Sequence, residues 1–149
     1  MAEYNLYGFG YEGKTAEELI ATLKNYEIAT LVDVRLTPIS RKKGLSKTKL
    51  AIAIEATGMT YLHRPALGNP KDNRAGFSTP YTTEWAVARH NFEQVLENEN
   101  AVQALEEIHQ LLEHGNVGLL CFEANTKCCH RDVIMTKIGS NATPLLQLA

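Results

Sequence analysis

Short apolar runs alternate with amphipathic stretches along this chain. Tyr4 to Phe9 alternates weakly and is rich in aromatics, which predicts a first strand. Thr15-Ala16-Glu17-Glu18 then forms a capping box, in which the Thr15 hydroxyl and the Glu18 carboxylate each satisfy an orphan backbone N–H. Leu19, Ile20 and Leu23 supply the apolar stripe of a helix that reaches about Tyr26. Thr30 to Arg35 is apolar enough for a central parallel strand, with Asp33 and Arg35 on one face at its carboxyl end. Pro38 stops that strand, and Ser40-Arg41-Lys42-Lys43-Gly44 makes a basic loop. Ser46 is placed to cap a helix through Ala56, ended by Gly58.

Met59 to His63 predicts a third strand, closed by Arg64-Pro65. Ala66 to Tyr81 holds Gly68, Pro70, Gly76 and Pro80 without a clear period, and reads as a long ordered loop of the kind that often carries function. Trp85, Ala88, Phe92, Val95 and Leu96 give a helical stripe; a second helix starts near Asn100 and continues through Leu105, Ile108 and Leu112 until Gly115. Val117 to Phe122 is a buried strand, followed by a polar loop, a capping position at Thr126 and a helix carrying Val133 and Ile134. Thr143 to Leu148 closes the chain as a last strand. Strands alternating with helices predict an α/β fold: a three-layer sandwich with a mostly parallel central sheet of about five strands and helices on both faces, in one domain over residues 1–149.

Composition fits that picture. With 149 residues, 44% hydrophobic and 21% charged, the chain has the length and apolar content for one buried core. No apolar run approaches a membrane span, and Met1 to Gly10 lacks a signal-peptide core, so no membrane contact and a cytoplasmic location are expected. Three cysteines, two of them adjacent, do not suggest a disulfide framework. The net charge of -2 argues against a generally basic surface. Positive charge is nevertheless concentrated between Asp33 and Glu55, where Arg35, Arg41, Lys42, Lys43, Lys47 and Lys49 have no acid among them. Such a run is either a solvated face or a surface that attracts anions.

Reactive side chains gather from Cys121 to Arg131, where a strand gives way to a loop and then a helix start. Ligands bind outside the carboxyl ends of strands in open α/β sheets, and a helix N-terminus receives anions. Cys121, inside the apolar run, is expected to fill the core. Cys129 is expected to matter through its small size and backbone placement rather than its thiol. Cys128, Cys129 and His130 are a poor zinc set because consecutive residues rarely reach one ion, so no metal is expected. Gly8, Gly10 and Gly13 do not complete a dinucleotide fingerprint, and no cofactor is expected.

Several separated motifs then combine. They are Gly10-Tyr11-Glu12-Gly13, Leu31-Val32-Asp33-Val34-Arg35, Pro38-Ile39-Ser40-Arg41, Gly44-Leu45-Ser46-Lys47, Tyr61-Leu62-His63-Arg64-Pro65 with Leu67-Gly68, Leu120-Cys121-Phe122-Glu123, and Cys129-His130-Arg131. In this order they resemble the bacterial and archaeal family called domain of unknown function 488, or DUF488, over nearly the whole chain. Leu45 stands where that family usually has an aromatic residue, and the segment after Lys137 is short. The resemblance implies a compact α/β fold and supplies no activity.

The motif residues cluster at strand carboxyl ends, which points to a ligand site. The expected occupant is a small phosphate-bearing anion, a nucleotide or a nucleic acid. Tyr11, Arg35, Ser40, Arg41, His63, Cys129 and Arg131 are assigned to binding, with Arg35, Arg41 and Arg131 converging on the anion. Glu123, His130 and Asp33 are assigned to proton transfer or orientation in a hydrolase, and glycosidic and phosphoester hydrolysis both fit. Two alternatives stand beside this. One is a binding protein without catalysis. The other is a cysteine-dependent sulfurtransferase: Asp33-Val34-Arg35 looks like the Asp-Val-Arg strand of rhodaneses, but their short Cys-loop ending in Arg is absent here.

Overall fold

A computed structural model describes residues 4–139 and the backbone of 145–147. Four parallel strands form the body of the sheet. They are β1 (Leu6–Gly10), β2 (Ile28–Asp33), β3 (Thr60–His63) and β4 (Asn116–Cys121), arranged β3-β2-β4-β1. Leu145–Gln147 adds a three-residue parallel segment beside β1; residues 143, 144 and 148 of the strand expected there lie outside the described residues. The expectation of about five strands is therefore corrected to a four-stranded sheet with this short flanking segment. The α/β class and the parallel sheet stand.

The helices are α1 (Ala16–Asn25), α2 (Lys47–Glu55), α3 (Thr83–Val95), α4 (Glu99–Leu111) and α5 (Arg131–Gly139). The capping box of α1 forms as its residues dictate: Glu18 N–H donates to Thr15 Oγ1 at 3.1 Å, and Thr15 N–H to Glu18 Oε1 at 2.8 Å. Ser46 occupies the N-cap position of α2, but its hydroxyl bonds to Ser40 instead, receiving that residue's N–H at 2.9 Å. The long connection after β3 is compacted by 3-10 turns at Pro65–Leu67, Lys71–Asn73 and Ala75–Ser78. None of the described helices is long and apolar enough to cross a membrane.

Buried side chains fall into two clusters. One contains Tyr7, Phe9, Tyr11, Leu31 and Leu120 with residues of α1 and α2; the other contains Leu6, Val32, Val34, Leu119 and Cys121 with residues of α3, α4 and α5. Alternation along each strand deals successive side chains to opposite clusters. On β1 it separates aromatics at 7 and 9 from glycines at 8 and 10. The glycine side lets other backbone come close: a Cβ on Gly10 would lie 1.9 Å from the Glu123 carbonyl oxygen, and one on Gly8 2.9 Å from Thr126 Cγ2. The segment that follows β4 thus lies directly across the end of β1.

The carboxyl end of β2 is held by a buried ion pair. Asp33 is fully buried and Arg35 is 5% exposed. Arg35 Nη2 donates to Asp33 Oδ2 at 2.7 Å and Nε to Oδ1 at 2.9 Å. Nη1 donates to the Leu45 carbonyl at 2.7 Å and lies 3.4 Å from the Tyr11 hydroxyl, and the Tyr61 hydroxyl donates to Asp33 Oδ2. Burial opposes the charge on Arg35, and Asp33 more than restores it, so its basicity is raised. Burial and the charge of Asp33 keep the Tyr61 phenol protonated well above its usual range.

Two consequences are measurable by urea unfolding. Gly10→Ala forces backbone against backbone and is expected to cost about 3 kcal/mol or more, since overpacking costs of 1–3 kcal/mol assume a neighbour that yields. Asp33→Asn strands a buried guanidinium and is expected to cost about 3–5 kcal/mol, whereas Tyr61→Phe removes one donor from Asp33 and is expected to cost about 1–3 kcal/mol. Equal losses for Asp33→Asn and Tyr61→Phe would contradict the ion pair as the centre of this network.

Candidate functional site

The segments that leave β1, β2 and β4 meet the approach to α5 and the long 64–82 connection around one cavity of about 670 Å³. The residues after β1 contribute Tyr11 and Glu12, and those after β2 contribute Arg35 to Thr37 and Ile39. β4 and its exit contribute Cys121, Phe122 and Glu123; Cys128, Cys129 and His130 precede α5. Asn69, Arg74, Phe77 and Ser78 close it from the long connection.

Local bonding explains why this edge is ordered. Tyr11 and Glu12 continue the β1–β4 pairing, with Glu12 N–H donating to the Phe122 carbonyl at 2.8 Å. Glu12 Oε1 accepts from Ala124 N–H at 3.0 Å and pins the exit loop of β4. Asn125 Oδ1 accepts from Lys127 N–H at 2.9 Å and opens a 3-10 turn over Thr126–Cys128. That turn occupies the place where a helix cap at Thr126 was expected; α5 begins five residues later. Helix α3 clamps its start, through Trp85 Nε1–H to the Lys127 carbonyl at 2.8 Å and Arg89 to Asp132 at 2.6 Å.

A buried sulfur–imidazole cluster forms the innermost part. Cys129 is 1% exposed, and its Sγ lies 3.4 Å from His130 Nδ1 and accepts from Arg131 Nε–H at 3.4 Å. The other ring nitrogen of His130, Nε2, is 2.8 Å from the Val34 carbonyl. A carbonyl only accepts, so Nε2 carries the hydrogen and Nδ1 faces the sulfurs. Burial alone would raise the Cys129 thiol, but a hydrogen bond from the Cys121 thiol and the charges of His130 and Arg131 bring it well below its usual range. Cys121 is raised in turn, first by that hydrogen bond to Cys129 and then by burial. Burial opposes protonation of His130, and Cys129 outweighs it and raises its basicity.

Glu123 lines the cavity beside this cluster. Burial first, and the charge of Cys129 second, push its carboxyl up to about 7, against opposing effects of Arg131 and His130. Arg131 itself is fully buried; its Nη2 donates to the Glu123 carbonyl, and its Nη1 has no partner among the described residues.

The expected site residues therefore divide. Tyr11, Arg35, Glu123, Cys129 and His130 line the cavity. Asp33 stands behind Arg35 with both oxygens engaged, and Arg131 lies beneath Cys129. Ser40 and Arg41 belong to a separate groove lined by Lys42, Lys43 and Lys47. His63 Nε2 bonds to the Arg35 carbonyl at 2.8 Å and does not line the cavity. The three arginines expected to converge on an anion do not: one is tied to a carboxylate, one is packed against sulfur, and one lies on another surface. Arg74, Phe77 and Asn69 also line the cavity, and the sequence carries no signal for them because the long connection has no period to orient its side chains. Cys121 is buried in the core as expected, and its place at the strand's carboxyl end also brings it to the cavity. Cys129 does more than fill space, since its sulfur is the hub of the cluster.

No curated protein and no solved structure matches the chain significantly. The sequence profile described as "Domain of unknown function DUF488" matches residues 15–138. That span holds every cavity residue except Tyr11 and Glu12, and with most of the 149 residues matched, the chain belongs to the DUF488 family.

Proposed function

We propose that the cavity binds a small phosphate-bearing ligand of nucleotide size and that Glu123 transfers a proton in its hydrolysis. The observation that carries this reading is the assembly of chemically different groups from five separate stretches of chain around one cavity of about 670 Å³. That volume lies within the usual range for small-molecule sites. Tyr11 and Phe122 make an aromatic corner, with ring centroids 5.3 Å apart, suited to a planar base. Arg74 is exposed, donates from Nε to the Asn69 carbonyl at 3.2 Å, and is the cation on the cavity wall best able to meet an anion. Arg35 shapes the wall next to Tyr11, its own charge being matched by Asp33. Glu123 lines the same cavity and serves as the acid or base. The two clusters of buried residues also support the three-layer reading of the fold, as one domain that presents this single sheet edge.

A sulfurtransferase has less support. A persulfide-forming cysteine must meet its donor, and Cys129, at the inner end of the cavity, is only 1% exposed.

Calorimetric titration with nucleoside mono- and diphosphates tests binding. Arg74→Ala is expected to weaken it about tenfold, or about 1.4 kcal/mol, while Arg41→Ala leaves it unchanged. The opposite ranking would move the anion site to the basic groove. Glu123→Gln is expected to keep affinity and to lower turnover about 100- to 10,000-fold. Undiminished turnover in that variant would remove Glu123 from the chemistry.

A further inference from the structure

The inner end of the cavity holds a donor set that neither proton transfer nor anion binding uses. Cys121 Sγ, Cys129 Sγ and one ring nitrogen of His130 all lie within 4.8 Å of one another. They come from the end of β4 and the approach to α5, so the fold brings together residues that sequence spacing keeps apart. Cys128, the other half of the adjacent pair, does not join them: its Sγ donates to the Ser78 carbonyl at 3.7 Å.

Three features of this cluster belong to metal sites. A tetrahedral ion with zinc-like bond lengths needs ligand atoms roughly 3.5–3.8 Å apart, and the Cys129 Sγ to His130 Nδ1 separation is 3.4 Å. His130 gives its Nε2–H to the Val34 carbonyl, the outer contact that fixes a ligating histidine's tautomer and aims its lone pair. Arg131, fully buried, turns its Nε–H to the Cys129 sulfur and so favours the thiolate, the form that ligates.

We propose that Cys121, Cys129 and His130 bind a zinc-type divalent cation whose fourth coordination position opens onto the cavity beside Glu123. Two sulfurs and an imidazole select a borderline-soft ion over magnesium or calcium. Binding releases the protons held by the two thiols and by His130 Nδ1, and leaves the His130 proton on Nε2. Three protein ligands with an open position is the pattern of a catalytic rather than a structural site, because the open position takes water and makes it nucleophilic. The ligand set stands on its own geometry. Only the use of that water in hydrolysis rests on the function proposed above.

The test is metal uptake by the full chain, stripped with chelator and then dialysed against zinc or cobalt(II). The expected result is one ion per chain by elemental mass spectrometry and a thiolate-to-cobalt charge-transfer band. Cys121→Ser, Cys129→Ser and His130→Gln should each weaken zinc binding at least tenfold, and Cys128→Ser should not. Absence of the charge-transfer band in wild type overturns the site, and so does equal loss in Cys128→Ser. Should the ligand variants fail to fold by circular dichroism, the wild-type cobalt spectrum and the Cys128→Ser comparison decide alone. Nucleotide titration of stripped and loaded protein separates the two proposals. Nucleotide binding without metal uptake removes only the metal site, and metal uptake without nucleotide binding removes only the phosphate-ligand reading.

Discussion

The buried pair of Asp33 and Arg35 is the constraint on which the rest of this edge depends. Two charges taken out of water repay their desolvation only when nearly every donor and acceptor is used. Here the requirement reaches across the fold: Tyr61 comes from β3, Leu45 from the loop before α2, and Tyr11 from the end of β1. Each partner is a fixed point for the segment that carries it. The pair thus sets where the sheet edge ends and where the cavity wall begins. It also removes Arg35 from duty as a free anion hook, since a guanidinium shared among a carboxylate, a carbonyl and a phenol has little left to offer.

The opposite side of the cavity is positioned by absence of side chains. Gly8 and Gly10 leave room for the β4–α5 connection to cross β1 at backbone contact distance. The charges then sort themselves. Arg89 and Lys127 meet Asp132, so the acid that neighbours Arg131 in sequence is occupied elsewhere. Arg131 turns instead to the Glu123 carbonyl and the Cys129 sulfur.

How much of this was legible in the sequence follows from which signals are local. The capping box of α1 and the apolar run of β4 are local, and both are where they were expected. Alternation correctly put Asp33 and Arg35 on one face, because a strand's side-chain period is fixed at two. The direction of loop side chains is not local. Arg41 and Ser40 follow the same strand as Arg35, but Ser40 and Ser46 bond to each other and fold the basic loop away from the cavity. The 3-10 turn at Thr126–Cys128 likewise decides that Cys129 points inward while Cys128 reaches Ser78, and nothing in the adjacent pair itself foretells which. The wall from Asn69 to Ser78 depends on tertiary packing throughout.

The start of α5 places a buried cation where a helix favours an anion. A helix N-terminus presents unpaired N–H groups and the positive end of the dipole, so a cation there is unfavourable by about 0.3–1 kcal/mol even when exposed. Arg131 is fully buried at that position, with His130 beside it. The nearest carboxylate in sequence, Asp132, is engaged with Arg89, and Glu123 offers Arg131 its backbone carbonyl. The Cys129 sulfur lies beside His130 Nδ1 and accepts from Arg131 Nε–H, and against the effect of burial these neighbours and the Cys121 thiol hold its own thiol well below the usual range. The same arrangement that favours the thiolate holds Glu123 by its backbone carbonyl at the cavity wall. A single buried arginine in this way links the helix start, the thiolate and the acid.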